Sequence, residues 1–333
     1  GIRLEPGEIE AAALGVPGVR RAVAGLWVPD PDHRVEHCVR CGLGSDVPGV
    51  TIDGDGVCSS CHDFDVVAPQ AEAWFRDEAD LRAELAAARA RSTGDYDVLH
   101  LLSGGKDSTY ALHRLVELGA RVLAITLDNG FIADVAKENV RRATRTLGVD
   151  HEFVTIDAMN EIFRDSLERY SNVCNGCYKA IYTVALERAD RLGIPAIVTG
   201  LSRGQFFETR LVPGMFGADR FDPEVIDAAV TEARKVYHAT PDAVHEHMDT
   251  TFLDDDQIFD RVTFIDFYRY VDVELSELYT ALESTGIWER PPDSGRSTNC
   301  LINAAGIFVH KIEQGHHNYA LPYSWDVRLG HKT

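Results

Sequence analysis

The sequence is short of positive charge. Its 33 lysines and arginines face 53 aspartates and glutamates, for a formal net charge of -20 over 333 residues. A field that acidic repels phosphate backbones and argues against bulk binding of nucleic acid, folded tRNA included. No apolar run reaches the roughly 18 residues that suggest a membrane span. No basic stretch followed by an apolar one opens the chain as a secretion leader would. Internal repeats and low-complexity tracts are lacking too. The seven cysteines are an odd number, which excludes a fully paired disulfide framework. What remains is an ordinary globular chain, 45% hydrophobic, read here as cytoplasmic. Its length suggests two or three units.

The cysteines are few but patterned. Six form three C-x-x-C pairs, Cys38/Cys41, Cys58/Cys61 and Cys174/Cys177, and Cys300 stands alone. The first two pairs are separated by sixteen residues, a spacing that fits zinc ribbons. Each pair puts two thiolates on one tight knuckle, and two knuckles complete a closed tetrahedral site. Such a site has no open position, so its expected role is to hold a segment that lacks its own core.

From residue 95 the hydrophobic pattern changes. Apolar, β-prone runs at 96–102, 121–128, 151–157 and 195–200 alternate with amphipathic helical stretches. That alternation predicts a parallel, doubly wound α/β sheet with helices on both faces. The expected division is an N-terminal segment 1–30, a four-cysteine zinc module 31–68, a helical connector 69–94, an α/β domain 95–212, and a helical, site-building region 213–333. Residues 213–290 read as helical and charged, with Asp254–Asp256 as a solvated acidic loop.

Between the first run and its helix lies SGGKDS, Ser103–Ser108. Gly104 and Gly105 allow a tight turn with amides aimed at a phosphate. Ser108 opens a helix whose N-terminus favours anions. Ser103 offers a hydroxyl, Lys106 a point charge, and Asp107 a carboxylate to hold Mg²⁺ or brace the loop. The spacing is not that of a Walker A loop.

This segment resembles the PP-loop of the N-type ATP pyrophosphatases, S-G-G-x-D-S, and the likeness extends over roughly 95–210. It implies an adenine nucleotide α-hydrolase-like fold, ATP and magnesium as cofactors, and adenylation of a carbonyl or carboxyl oxygen with release of pyrophosphate. Asp128 and Gly200, at two later strand tips, would line the adenosine pocket. Some tRNA-thiolating members carry a C-x-x-C before the equivalent helix and a third cysteine after the sheet. By that resemblance Cys174, Cys177 and Cys300 would hold a [4Fe-4S] cluster with one open iron, and Asn299 with the following residues would form a pocket wall. The same residues also permit a catalytic thiol pair, Cys174/Cys177, activated at a helix N-terminus, or plain buried cysteines.

The run from Cys38 to Cys61 also resembles N-acetyl sugar amidotransferases, which combine paired knuckles with the same loop. That likeness implies ammonia from a partner glutaminase instead of a sulfur donor. Residues 2–25, with Arg3, Glu5, Glu8, Ile9, Glu10, Val19 and Ala22, resemble the C-terminal subdomain of nonribosomal peptide synthetase adenylation domains. The expected substrate is therefore small or tethered to a carrier protein, the expected setting natural-product biosynthesis, and the chain a candidate homo-oligomer. A third reading is a nucleotide-binding interaction module without catalysis. Arg203, Arg210, His310, His316 and His317 complete the candidates, as contacts to phosphate or substrate or as a general base.

Overall fold

The computed structural model describes residues 35–210, 222–255, 257–291 and 299–332, the side chains of 208–210 excepted. His37–Thr333 forms one unit and Gly1–Glu36 another. The segment 1–30 that resembles an adenylation subdomain lies outside the described residues.

Five strands make one parallel sheet: β1 Val98–Leu101, β2 Val122–Asp128, β3 Asp150–Thr155, β4 Ala196–Thr199 and β5 Thr263–Asp266, in the spatial order β3-β2-β1-β4-β5. The two-residue alternation of a strand sends neighbouring side chains to opposite faces. Val98, Val122, Ala124, Ala196 and Val198 meet Tyr110, Leu115, Val140 and Leu282 on one face. Leu99, Leu123, Ile125 and Ile197 meet Leu186, Ala189 and Ile258 on the other. Both faces are thus covered, as expected for parallel strands joined by helical crossovers.

Four strands fall where the apolar runs predict them. The fifth does not: β5 comes from the region read as helical, so the sheet reaches beyond 95–212 in sequence. Only four residues long, TFID lies among charged helical stretches and carries too short a period-two signal to stand out. Its register is locked by chemistry that pairing creates. Thr199 Oγ1 donates to Asp266 Oδ1 at 2.6 Å, and Arg234 Nη2 lies 2.7 Å from Asp266 Oδ2 in a buried pair.

Strand order reverses at β1, whose neighbours β2 and β4 lead away in opposite directions. In open α/β sheets the crevice at such a switch point, outside the carboxyl ends of the strands, receives the ligand. The loop after β1 opens there. The final segment, 299–332, returns over the same edge. Asn299 O accepts from Ala133 N at 2.8 Å, Leu301 N donates to Phe131 O at 2.8 Å, and Cys300 bridges Ile132.

Candidate active site

The loop Ser103–Gly105 has its acceptors tied down and several donors left over. Ser103 O faces Asn299 Nδ2 at 3.4 Å, and Gly104 O accepts from Trp288 Nε1 at 3.0 Å. Gly105 O accepts from Thr109 N at 3.0 Å, and Asp107 O from the Tyr268 hydroxyl at 3.0 Å. Buried His100 lies with Nε2 2.9 Å from Ser108 O, and burial pushes its pKa down to about 4, so the ring is neutral and donates. By contrast, the amides of Gly104, Lys106, Asp107 and Ser108 have no hydrogen-bond acceptor among the described residues. Fixed carbonyls and free N–H groups at a helix start form an anion cradle.

Glycine is required here on two counts. Gly104 has φ +75°, and a Cβ there would lie 2.3 Å from Ala136 O. Gly200 lets the tip of β4 touch the loop helix, since its Cβ would lie 2.8 Å from Ser108 Cα. Ser103 and Ser108 present hydroxyl oxygens 3.0 Å apart. Lys106 Nζ sits 2.5 Å from Asp107 Oδ2. Burial works against that ammonium, but the Asp107 carboxylate outweighs it and holds the Lys106 pKa above the ordinary value. Asp128, at the end of β2, pairs with Lys137 Nζ at 2.6 Å and accepts from Gly130 N at 3.2 Å.

The next residue, Asn129, links the cradle edge to the second cysteine group. Its Nδ2 lies 3.5 Å from Cys177 Sγ and 3.4 Å from Cys300 Sγ. Those two sulfurs are therefore at most about 7 Å apart. Cys174 is the second residue of the helix Val173–Arg191, which Asn172 caps by accepting from Cys174 N at 2.8 Å. Its Sγ faces Asn303 Oδ1 at 3.8 Å. The three sulfurs do not all lie within 4.8 Å of one another, so they are too spread to share one mononuclear ion at a tetrahedral edge of about 3.8 Å. Burial, reinforced by the neighbouring cysteines, pushes the Cys174 thiol up to about 12. Burial likewise takes Cys177 up to about 11, against the Asn129 hydrogen bond. Desolvation opposes ionisation of both thiols at this helix start.

The four N-terminal cysteines form a tighter group. Cys38, Cys41, Cys58 and Cys61 are buried, with all four sulfurs within 4.8 Å of one another. Cys38 Sγ and Cys61 Sγ are 3.8 Å apart, and Cys41 Sγ and Cys58 Sγ 3.6 Å. A Zn–S bond of about 2.3 Å gives a tetrahedral edge of about 3.8 Å, so the donor set fits a metal such as zinc.

Other candidates fall outside the cradle. His310 and His316 pack edge to face at 5.0 Å, His316 Nδ1 lies 3.1 Å from Gln314 O, and His317 Nδ1 accepts from Tyr319 N at 3.1 Å. They brace the C-terminal turn. Arg203 is buried, donates from Nε to Tyr268 O at 2.9 Å, and flanks the cavity beside Lys106. The Arg210 side chain and Asp256 lie outside the described residues. Asp255 pairs with Arg261 at 2.8 Å.

Sequence reading overlooks Asn129, His100, Trp288, Tyr268 and Tyr319. The first has a detectable signal, a polar residue directly after the predicted strand tip Asp128. The others read as core or surface residues until the chain folds back. Tyr319 then stacks on Tyr323 with ring centroids 5.5 Å apart, and charge on Cys174 helps burial raise its pKa.

Residues 97–180 match the family described as queuosine biosynthesis protein QueC. The span contains the loop, β1, β2 and the Cys174/Cys177 pair, and it bears out the PP-loop superfamily expected from Ser103–Ser108. No curated protein matches the chain. Among solved structures, an NMN synthetase from Francisella tularensis is similar at a TM-score of 0.40 and 11% identity, over 76% of this chain and 91% of that one.

Proposed function

We propose that this PP-loop protein uses ATP to adenylate a carbonyl or carboxyl oxygen of a small or carrier-tethered substrate, and that a sulfur nucleophile then replaces the activated oxygen. In the first step the substrate oxygen attacks the α-phosphorus. The bond to the β-phosphate oxygen breaks, and pyrophosphate leaves. In the second, sulfur adds at the activated carbon and AMP departs with the oxygen.

The chain's own residues supply the first step. The free amides of Gly104, Lys106, Asp107 and Ser108, with the Lys106 ammonium, face the charge that grows on departing pyrophosphate. Donors fixed in advance stabilise such charge without reorganising. Trp288, Tyr268 and Asn299 hold the loop carbonyls away, so the donors keep their direction. A magnesium ion would supply further charge neutralisation between phosphates, and Asp107 is the loop carboxylate suited to it.

The observation that supports sulfur as the nucleophile is Asn129 touching both Cys177 and Cys300, one residue from Asp128 at the nucleotide edge. Thiols pushed up by burial are poor nucleophiles alone at neutral pH but sound ligands, because a bound cationic group deprotonates them outright. Cys174, Cys177 and Cys300 would hold a [4Fe-4S] cluster, and their spread fits a group larger than one ion. When bound, such a cluster with three protein ligands supplies an open iron position for sulfur. Asn129 would orient two of the ligands and temper their charge.

The test is anaerobic visible absorption with iron and zinc analysis, alongside pyrophosphate release from ATP. Iron in wild type that falls in Cys300→Ser supports the sulfur step. Pyrophosphate release without any iron after reconstitution would sink it and favour amidation with ammonia from a glutaminase partner. No pyrophosphate release with ATP and candidate acceptors, together with tight nucleotide binding, would favour a non-catalytic binding module.

A further inference from the structure

The four-cysteine group has a fifth partner from the opposite end of the chain. Arg328 Nη2 lies 3.2 Å from Cys41 Sγ and 3.6 Å from Cys58 Sγ, and its Nε lies 3.4 Å from Cys61 Sγ. The guanidinium also stacks over Trp325 at 4.6 Å, and Nη1 donates to Ser324 Oγ at 3.2 Å. Four thiolates around a divalent ion leave a net negative site, and a buried net charge is costly unless paired. A planar fork of N–H donors suits several sulfurs at once, where a lysine would reach one.

Arg328 ends the helix Ala320–Arg328. At 3.6 residues per turn, two positions on the helix are about 200° apart, so Asp326 faces the other way. Asp326 Oδ1 accepts from Gly204 N at 2.7 Å and Oδ2 from Ser202 Oγ at 3.2 Å, and the carboxylate pairs with Lys332. Ser202, Asp326 and Lys332 line a cavity of about 40 Å³ together with Lys106 and Asp107 of the loop. One short helix therefore touches the cysteine site on one side and the wall beside the nucleotide loop on the other.

We propose that Arg328 is the charge partner of the four-cysteine metal site, a positioning residue through which metal binding fixes the last helix and the cavity wall beside Lys106. The inference rests on a metal in the four-cysteine site and is independent of the sulfur step. It assigns a consequence to a structural metal: loss of the ion frees Arg328 and releases Ser202–Gln205 from Asp326.

The test uses the full chain and zinc. Zinc content and affinity are measured in wild type, Arg328→Met and Arg328→Lys by competition with a chelating dye. Hydrogen exchange is followed over 202–205 and 320–328 in zinc-loaded and zinc-stripped wild type. Outer-shell partners typically contribute ten- to hundredfold in metal affinity. Arg328→Met should lose about that factor, and Arg328→Lys should recover part of it. Stripping wild type should raise exchange in both segments together. Wild type without zinc would remove the metal premise itself. Zinc bound by Arg328→Met with wild-type affinity, or exchange over 202–205 unchanged on stripping, would overturn the role of Arg328 while leaving the metal site in place. If Arg328→Met does not fold, Arg328→Lys and the stripped wild type decide the question.

Discussion

Gly104→Ala offers a quantitative probe of the loop. Two costs separate cleanly. The first is backbone: a non-glycine residue at φ +75° loses roughly 1–2 kcal/mol. The second is steric: the new methyl would lie 2.3 Å from Ala136 O, a backbone atom in the helix Asp134–Leu147 that cannot swing aside. Forcing such an overlap costs roughly 1–3 kcal/mol more. Gly119→Ala is the natural control. Its φ is +78°, but its Cβ would meet nothing within 4 Å, so it carries the first cost alone. At roughly 2 °C per kcal/mol for a chain of this size, Gly104→Ala should lower Tm by about 4–10 °C and Gly119→Ala by about 2–4 °C. Thermal unfolding by circular dichroism measures both. Displacing the loop also turns its free amides from the phosphate, so pyrophosphate release should fall at least tenfold in Gly104→Ala and stay near wild type in Gly119→Ala. Equal melting points with full turnover in both variants would refute the tight approach of the loop to Ala136.

Three further outcomes follow from the same geometry. His100 is neutral and buried, its pKa down at about 4 from an ordinary 6.5. The unfolded chain therefore binds the extra proton first, so stability is full above pH 6.5 and falls as pH drops toward 4, by about 3 kcal/mol; His100→Gln should flatten that part of a pH–Tm curve, and an unchanged slope would argue against it. Cys38→Ser should lose the metal and the order of residues 38–61, read by zinc analysis and limited proteolysis, because metal binding supplies much of the folding free energy of such modules; full zinc occupancy in the variant would contradict four-sulfur ligation. Asn129→Ala should leave pyrophosphate release within about threefold of wild type but shift the visible spectrum of any reconstituted cluster, since it removes the donor to Cys177 and Cys300 along with the Oδ1 that accepts from Phe131 N at 3.0 Å; an identical spectrum would detach Asn129 from the sulfur site.

Sequence alone determined the local chemistry. SGGKDS after an apolar run specifies a turn, a helix start and an anion cradle within six residues, and nothing distant is needed to read it. The paired knuckles Cys38/Cys41 and Cys58/Cys61 are legible for the same reason: two short loops almost define the ligand set. Apolar, β-prone runs announce β1 to β4, because burial on both faces of a parallel sheet favours continuous apolar residues over strict alternation. Tertiary structure decided everything that depends on the chain returning to itself. β5 is a strand only because β4 offers an edge and Arg234 a partner for Asp266. Cys300 becomes a neighbour of Cys177 only when the segment Asn299–Leu301 pairs with Phe131–Ala133. Arg328 meets Cys41 from 287 residues away. No local propensity encodes such separations, because the favourable energy of those contacts exists only once the sheet has been built and its carboxyl edge is there to be covered.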